Sequence, residues 1–395
     1  MSSESPSSVS ERSGWWHPLA VYTAAVATVA GIASWRAVDG VAGFWASVQG
    51  AAGDYLVIAE QGYPTGTWRV ATFPGFSLVL RGVAEVTGTE NLALVSVVVG
   101  AAGGLATAGL LWWWMRDRGL SDRSATVGVI ALLVSPAGFV LLDNPQSEAV
   151  FLPAVIGACL AVERRHRGLA AVLLTVAAAT RLSAIIFILA LVVRCAEQDG
   201  ALRVRLRPSG APRWHLWRRL EVRRSDLRWS AGLPMLGLAG CLAWFAYTWA
   251  AHGSPFAYFV EQSALIPSGP RWHPATWIHW GLVERASDLA ADPSYLVETV
   301  VNIGMIVLCA WWTPAVLRRF GLAYACIVAA HLVMVWSLAY NFTSTSRYLL
   351  AAFPIAAIAG IRAVEGERRV VVGLVVSAVI MLWYGTMFPN GVALA

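Results

Sequence analysis

The sequence predicts an all-α integral membrane protein that crosses the bilayer many times. Of its 395 residues, 57% are hydrophobic and only 13% are charged, and the mean hydropathy is +0.61. Soluble domains carry about a quarter charged residues, so a chain with so little charge must place much of its apolar surface in lipid. The 20 tryptophans agree with this prediction because Trp is enriched at the membrane–water interface.

Long apolar segments locate the membrane spans. A transmembrane helix needs about 20 apolar residues. The clear candidates are 18–37, 91–115, 124–142, 148–163, 230–251, 296–314, 320–340, 347–363 and 369–388. The Ser-rich segment 1–17 is expected to be a disordered cytoplasmic tail, and 18–395 a single polytopic domain. The first apolar segment lacks a small-residue cleavage site, so it is interpreted as an anchor and not as a cleaved signal peptide.

The apolar segment 168–194 has positive charge at both ends. Arginines precede it, and the region 194–229 carries ten Arg against four acidic residues. Arg-rich loops stay in the cytoplasm, so a single crossing would put one flank on the wrong side. We therefore predict a hairpin of two short helices, about 168–180 and 182–194, with its tip at Thr180-Arg181-Leu182. Each helix would be only about 18 Å long and must pack among other helices.

With this hairpin every inter-helix loop obeys the positive-inside rule. The prediction is about eleven transmembrane helices in the plasma (inner) membrane, with the N-terminus cytoplasmic and the C-terminus extracytoplasmic. The Arg-rich loop 195–229 is inside, and the outer loops are 38–90, 143–147, 252–295 and 341–346. Within the first outer loop, Phe73–Val86 is predicted to be an amphipathic helix at the interface. The Trp-rich loop 252–295 is expected to rest on the membrane surface as well.

Several classes of function are disfavoured by the sequence. The five cysteines form no CxxC, so neither a disulfide framework nor a zinc site is predicted. No GxxxxGK[ST] motif is present, so ATP-driven transport by this chain is not expected. The net charge of +6 comes from arginines in short inter-helix loops, which membrane topology explains better than nucleic-acid binding. No cofactor and no metal are expected.

Polar residues beside membrane spans are costly and therefore are candidates for function. They form four groups on the predicted outer face: Asp54–Arg69, Asp143–Glu148, Thr180-Arg181 and Asn341–Tyr348. Arginine binds phosphate oxygens through a bidentate fork, and a carboxylate can deprotonate a hydroxyl nucleophile. This combination suits a reaction on a lipid phosphate. The structural alternatives are interface anchors for the arginines and helix N-terminal charges for the acids.

The same groups, in the same order, resemble the membrane mannosyltransferases of the phosphatidylinositol-glycan class V type, and more broadly the GT-C glycosyltransferases. The resemblance rests on YLVIAEQGY at Tyr55–Tyr63, RVATFPGFSLVLR at Arg69–Arg81, SPAGFVLLDNPQSEAVFL at Ser135–Leu152, GLAAVLLTVAAATRLSAIIF at Gly168–Phe187 and SRYLLAAFPIAAIAG at Ser346–Gly360. It implies a GT-C-like fold whose large first outer loop carries interfacial helices.

The resemblance also implies inverting mannosyl transfer from a polyprenyl-phosphate-linked sugar donor to an acceptor hydroxyl on the extracytoplasmic face. The acceptor would be a glycolipid, a polysaccharide or a protein. Asp54 is the predicted catalytic base. The residues predicted to bind the donor phosphate are Arg181, Arg347 and Arg69. Those predicted to bind substrate are Tyr55, Glu60, Tyr63, Asn144, Gln146, Glu148 and Tyr348.

One departure from the family pattern leaves three interpretations open. The family has Trp-Asp where this chain has Gly50-Ala51, and an acid appears only at Asp54. Asp54 has taken over as base after a local shift of the loop, which glycine would permit. Alternatively, Asp39 serves as base. In the third interpretation the protein is a catalytically inactive relative that binds lipid-linked sugar or supports a cell-envelope glycosylation complex.

Overall fold

The computed structural model describes residues 14, 16–37, 39–50, 52–64, 68–143, 145–204, 220–264, 293–338 and 344–387. These residues are almost entirely helical, with one two-stranded antiparallel ribbon. Within these described ranges, five helices are long and apolar enough to cross a membrane: His17–Arg36, Leu92–Asp117, Trp229–His252, Leu296–Phe320 and Arg368–Gly385. The chain is therefore an all-α polytopic membrane protein, as predicted.

The described residues up to position 199 form nine α-helices. They are α1 (His17–Arg36), α2 (Gly40–Gly50), α3 (Gly53–Gln61), α4 (Gly75–Thr87), α5 (Leu92–Asp117), α6 (Asp122–Leu133), α7 (Glu148–Glu163), α8 (Arg167–Thr180) and α9 (Ala184–Asp199). Helix α4 confirms the helix predicted over 73–86, and its buried residues lie on one face.

The second part begins with the ribbon, in which β1 (Leu202–Val204) pairs with β2 (Leu220–Val222). A 3-10 helix, Trp229–Leu238, leads into α10 (Ala239–His252). The remaining helices are α11 (Ala257–Ala264), α12 (Pro293–Phe320), α13 (Leu322–Leu338), α14 (Thr345–Leu349), α15 (Pro354–Val364) and α16 (Arg368–Met387).

The segment 168–194 is the predicted pair of short helices. Helix α8 ends at Thr180, and Arg181 adopts an extended conformation with φ −154° and ψ 139°. Arg167 at the start of α8 forms an ion pair of 2.5 Å with Asp199 at the end of α9. Because the two far ends meet, the chain must turn back near Arg181. The hairpin prediction is confirmed.

Two spans predicted as continuous helices are interrupted, and these predictions are wrong. The span predicted over 124–142 consists of α6 and, after a break, a 3-10 helix over Gly138–Leu141. The span predicted over 347–363 consists of α14 and α15, with Pro354 at the first position of α15. Proline lacks a backbone N–H and disfavours helix at the residue before it, so Pro136 and Pro354 account for the two breaks.

Glycines allow α7 and α8 to pack closely against their neighbours. A Cβ atom on Gly103 of α5 would lie 2.0 Å from the carbonyl oxygen of Ala149, and one on Gly240 of α10 would lie 2.1 Å from that of Thr175. Small residues at such crossings let helix backbones approach in a membrane. These contacts hold the start of α7 against α5 and the second half of α8 against α10.

An ionic cluster joins the helix ends opposite the hairpin tip. The carboxylate of Glu163, the last residue of α7, accepts hydrogen bonds from Arg118, Arg194 and Tyr324 at 2.6–2.9 Å. These partners come from the end of α5, from α9 and from the start of α13. We call this region the Glu163 end of the molecule.

Candidate functional site

Three separate segments converge at the hairpin tip, at the opposite ends of α7, α8 and α9. Arg181 from the tip forms an ion pair with Glu148 and donates to the Ser147 hydroxyl at 3.3 Å. Arg347 of α14 lies 3.2 Å from the same Glu148 oxygen. Two arginines therefore share one carboxylate. Together with Tyr55, Gln146 and Tyr348, these residues are called the arginine site below.

Local backbone structure explains how these side chains are presented. Glu148 is the first residue of α7, where the free N–H groups of the helix favour a negative charge. Arg181 is the extended residue between two helices, so its side chain is not committed to a helix face. Ser344, at φ 60°, adopts a left-handed conformation just before the short helix that carries Arg347.

Aromatic and amide groups hold the two guanidinium groups in place. The guanidinium carbons of Arg181 and Arg347 lie 5.0 Å and 5.9 Å from the centroid of the Tyr348 ring, within range of cation–π attraction. The amide oxygen of Gln146 accepts a hydrogen bond of 2.5 Å from Arg347. The Tyr55 hydroxyl hydrogen-bonds with the Ser147 side chain. Both arginines are thus positioned before any ligand is bound.

The arginine site has an excess of positive charge. Among the described residues, two guanidinium groups face a single carboxylate, which leaves one net positive charge. The Glu148 side chain is only 2% exposed, whereas those of Arg181 and Arg347 are 13% and 26% exposed. The Glu148 carboxylate is therefore the most deeply buried of the three charged groups, and the two arginine side chains lie closer to the protein surface. Such an arrangement can bind a monoanion such as a phosphodiester.

The predicted base, Asp54, lies in the first turn of α3 and pairs with Arg69 at 3.1 Å. Both side chains are about one third exposed, at 34% and 27%. Asp54 precedes Tyr55, which faces the arginine site. The structure thus pairs the predicted catalytic base, Asp54, with Arg69, one of the residues predicted to bind the donor phosphate.

The other predicted residues are spread more widely. The Tyr63 hydroxyl donates to the Thr72 carbonyl at 2.9 Å, and its ring packs on Trp244. Glu60 and Asp39 are exposed on the surface. Asn144 lies outside the described residues. The structure therefore brings together Tyr55, Gln146, Glu148, Arg181, Arg347 and Tyr348.

Two buried polar residues were given no individual role from the sequence, although Asp143 begins one of the four polar groups named there. Asp143, in the turn before α7, is 8% exposed, and its Oδ1 atom has no hydrogen-bond partner among the described residues. Burial raises the pKa of this carboxyl group to about 8. The hydroxyl of Tyr384 on α16 is also buried without a partner in the described parts of the chain. Tyr384 lies in an apolar span with no local pattern to mark it.

Comparison with known proteins gives only a distant likeness of fold. No family model and no curated protein matches the chain, so membership in the phosphatidylinositol-glycan class V family is not shown. Among solved structures, the chain is similar to the oligosaccharyltransferase of Archaeoglobus fulgidus in the apo form. That match has a TM-score of 0.45 and 10% identity, and it covers 98% of this chain and 56% of the other.

Two further structures of the Archaeoglobus fulgidus enzyme give similar values. AglB in complex with an inhibitory peptide and a dolichol-phosphate matches with a TM-score of 0.45 and 11% identity, over 95% of this chain and 55% of that one. The enzyme tethered to an acceptor peptide containing the NVT sequon matches with a TM-score of 0.47 and 10% identity, over the same shares. The chain spans a little over half the length of these structures, and a likeness this distant assigns neither family nor activity.

Proposed function

We propose that the chain is a GT-C-type membrane glycosyltransferase whose arginine site binds the phosphate of a lipid-linked sugar donor. The observation that carries this proposal is the convergence of Arg181 and Arg347 on Glu148 from three separate segments. Burying two positive charges with one negative charge is costly unless a further anion joins them. A lipid phosphate at the opening between the arginines would supply that anion.

The arrangement suits a reaction in which the phosphate leaves. As the bond between the anomeric carbon and the phosphate oxygen breaks, negative charge grows on that oxygen. Arginine donors already held in position stabilise this charge without reorganising. Glu148 and Tyr348 would serve this step by fixing the arginines, and Gln146 and Tyr55 would lie beside the phosphate or the sugar.

The assignment of the donor, the stereochemistry and the acceptor rests on the sequence resemblance. It gives polyprenyl-phosphate-mannose as donor, inversion at the anomeric carbon, and a glycolipid, polysaccharide or protein as acceptor. In this scheme Asp54 takes the proton of the acceptor hydroxyl. Its ion pair with Arg69 would have to open for the carboxylate to reach that hydroxyl.

A transfer assay tests the proposal. Purified protein is given radiolabelled polyprenyl-phosphate-mannose and a membrane lipid extract. We expect transfer by the native protein and its loss in Arg181→Gln. The matched control is Arg81→Gln, because Arg81 is an exposed arginine whose ion pair is with Glu85 one helical turn away. Equal transfer by native protein and Arg181→Gln would refute the phosphate-binding role.

The second candidate is a catalytically inactive relative that binds lipid-linked sugar. It is favoured by Gly50-Ala51 in place of the family's Trp-Asp and by the commitment of Asp54 to Arg69. In the same assay this candidate predicts donor-lipid binding that depends on Arg181, but no transfer with any extract.

The proposed orientation places the arginine site on the extracytoplasmic side of the plasma membrane and the Glu163 end on the cytoplasmic side. Two cysteine substitutions test this. Ser209→Cys lies in the Arg-rich loop, in a part of that loop outside the described residues, and should label only from the cytoplasm. Glu85→Cys, on the exposed face of α4, should label from outside. The opposite pattern would reverse the topology.

A further inference from the structure

Helix α12 carries two polar side chains, one helical turn apart, inside an apolar membrane span. Glu298 and Asn302 lie in the candidate span Leu296–Phe320, and Asn302 is buried. The opposite face of α12 is apolar and exposed, at Val300 and Val307. Polar groups in a membrane span are costly, face the interior of the bundle and are candidates for function. We call Glu298 and Asn302 the α12 pair.

The α12 pair binds the backbone at the start of α14. The Ser346 N–H group donates to Asn302 Oδ1 at 3.0 Å. The Ser344 N–H group donates to the Glu298 carboxylate, which also hydrogen-bonds with the Asn302 side chain. Side chains at positions i and i+4 lie on one face of a helix, so the pair presents its acceptors to α14 together.

Helix α14 makes no side-chain cap of its own. The first N–H groups of a helix have no partner within that helix. Ser344, the N-cap residue, makes no side-chain hydrogen bond to these groups. Helix α14 also has only five residues, and a helix this short is unstable by itself. The α12 pair therefore supplies from outside the hydrogen bonds that the start of α14 needs.

Ser344 adopts a backbone conformation that requires support. Its φ of 60° and ψ of 7° lie in the left-handed region, which residues other than glycine rarely adopt. Such a conformation is costly and persists only where surrounding contacts hold it. The hydrogen bond to Glu298 is one such contact. Strained backbone of this kind is concentrated at functional sites.

Arg347 directly follows the residue that Asn302 holds. Its side chain contacts Gln146 and Glu148, which lie on a different segment at the start of α7. The α12 pair thus holds the backbone of α14, and the α7 segment holds the end of the arginine side chain. A guanidinium fork binds phosphate in a defined orientation, and a displacement of about 1 Å can lower a rate 100-fold.

We propose that Glu298 and Asn302 are positioning residues that orient Arg347 toward the phosphate of the lipid-linked donor. This inference rests on the proposed function, because the pair acts only through a phosphate ligand. Without either hydrogen bond, α14 would populate other orientations, and the apparent dissociation constant for the donor would rise accordingly. Arg181 does not depend on the pair, since its backbone N–H is bonded to Ala177 within α8.

Donor binding in a double-mutant cycle tests the inference. Dissociation constants for polyprenyl-phosphate-mannose are measured for native protein, Asn302→Leu, Arg347→Gln and the double variant. Leucine is similar in size to asparagine but offers no acceptor to Ser346. We expect Asn302→Leu to weaken binding about 10-fold in the native protein and to change nothing in Arg347→Gln. Equal weakening in both backgrounds would show a general structural role and overturn the inference.

A control and a second pair of variants accompany this cycle. Asn91→Leu removes a hydrogen bond of the same kind and length, from the Leu94 N–H at the start of α5, and should leave donor binding unchanged. Glu298→Gln keeps an acceptor for Ser344, whereas Glu298→Leu does not. We expect native-like binding for Glu298→Gln and about 10-fold weaker binding for Glu298→Leu. Equal binding by these two variants would contradict the inference, even if Asn302→Leu fails to fold.

The same measurements separate this inference from the proposed function. Native-like donor binding by Asn302→Leu, together with loss of binding in Arg181→Gln, would overturn the positioning role and leave phosphate binding at the arginine site intact. A native protein that binds no polyprenyl-phosphate-mannose would instead refute the proposed function itself, and with it the role of the α12 pair.

Discussion

Both ends of the helix bundle contain arginine side chains in ion pairs, but the ratio of arginines to carboxylates differs between the two ends. At the Glu163 end, four arginines meet four carboxylates: Arg118, Arg164, Arg167 and Arg194 with Asp117, Glu163, Glu197 and Asp199. At the arginine site, Arg181 and Arg347 pair with one carboxylate, Glu148, within the part of the chain that the structure describes. The first set is electrically neutral, and the second has one positive charge in excess.

This difference separates a structural role from a binding role. At the Glu163 end most of these pairs link two helices, as Arg167 and Asp199 link α8 to α9, while Arg194 and Glu197 pair within α9. Charges matched in this way hold helices together and leave little to attract a ligand. At the arginine site the described residues leave one positive charge unmatched, on side chains that are 13% and 26% exposed. Uncompensated charge within reach of a ligand is typical of a binding site.

The largest effect should come from Arg347. Replacing it with Gln removes the excess charge and a fork that binds phosphate, so transfer should fall by about 100-fold or more. Arg347→Lys keeps the charge but not the fork and should recover only part of this loss. Transfer rates at saturating donor would measure both effects. Full activity in Arg347→Gln would show that transfer does not need the arginine site, and the proposed functional difference between the two ends would be wrong.

Glu163→Gln tests the opposite end. It leaves Arg118 and Arg194 near a neutral side chain, and breaking such a buried pair costs about 3–5 kcal/mol of unfolding free energy. Denaturation followed by tryptophan fluorescence in a fixed detergent would measure the change. Donor binding by the folded fraction should stay native-like. A loss of binding without a loss of stability would show that the Glu163 end has more than a structural role.

The smallest effect is expected for Arg164→Gln. The Arg164–Asp117 pair is partly exposed, with side chains 45% and 25% accessible. Exposed pairs contribute about 0–1 kcal/mol, so the midpoint of denaturation should hardly move. A change as large as that of Glu163→Gln would mean that the cluster acts as one network and not as separate pairs.

The sequence was sufficient where charge or composition constrained the chain. Arginines on both sides of 168–194 required a hairpin, and polar residues in apolar surroundings marked Glu148, Arg181 and Arg347. Hydropathy could not reveal the breaks at Pro136 and Pro354, because an interrupted span is as apolar as a continuous one.

Partnerships between distant residues were beyond the reach of the sequence. Glu148, Arg181 and Arg347 lie on segments far apart in the chain, and no local periodicity links them. The pairing of Asp54 with Arg69 was also hidden, since each residue by itself suited a catalytic role. These contacts depend on how whole helices pack, which a single sequence does not specify.

The hairpin tip also bears on how the protein is inserted into the membrane during synthesis. Arg181 is the midpoint of the segment 168–194, with thirteen residues on either side. If the translocon threaded this segment as one straight helix, Arg181 would lie at the bilayer centre, at a cost of about 2.5–3.5 kcal/mol. That cost discourages the single crossing, which would invert every later helix. Arg181, which we propose binds the donor phosphate, therefore also favours the correct topology of the nascent chain.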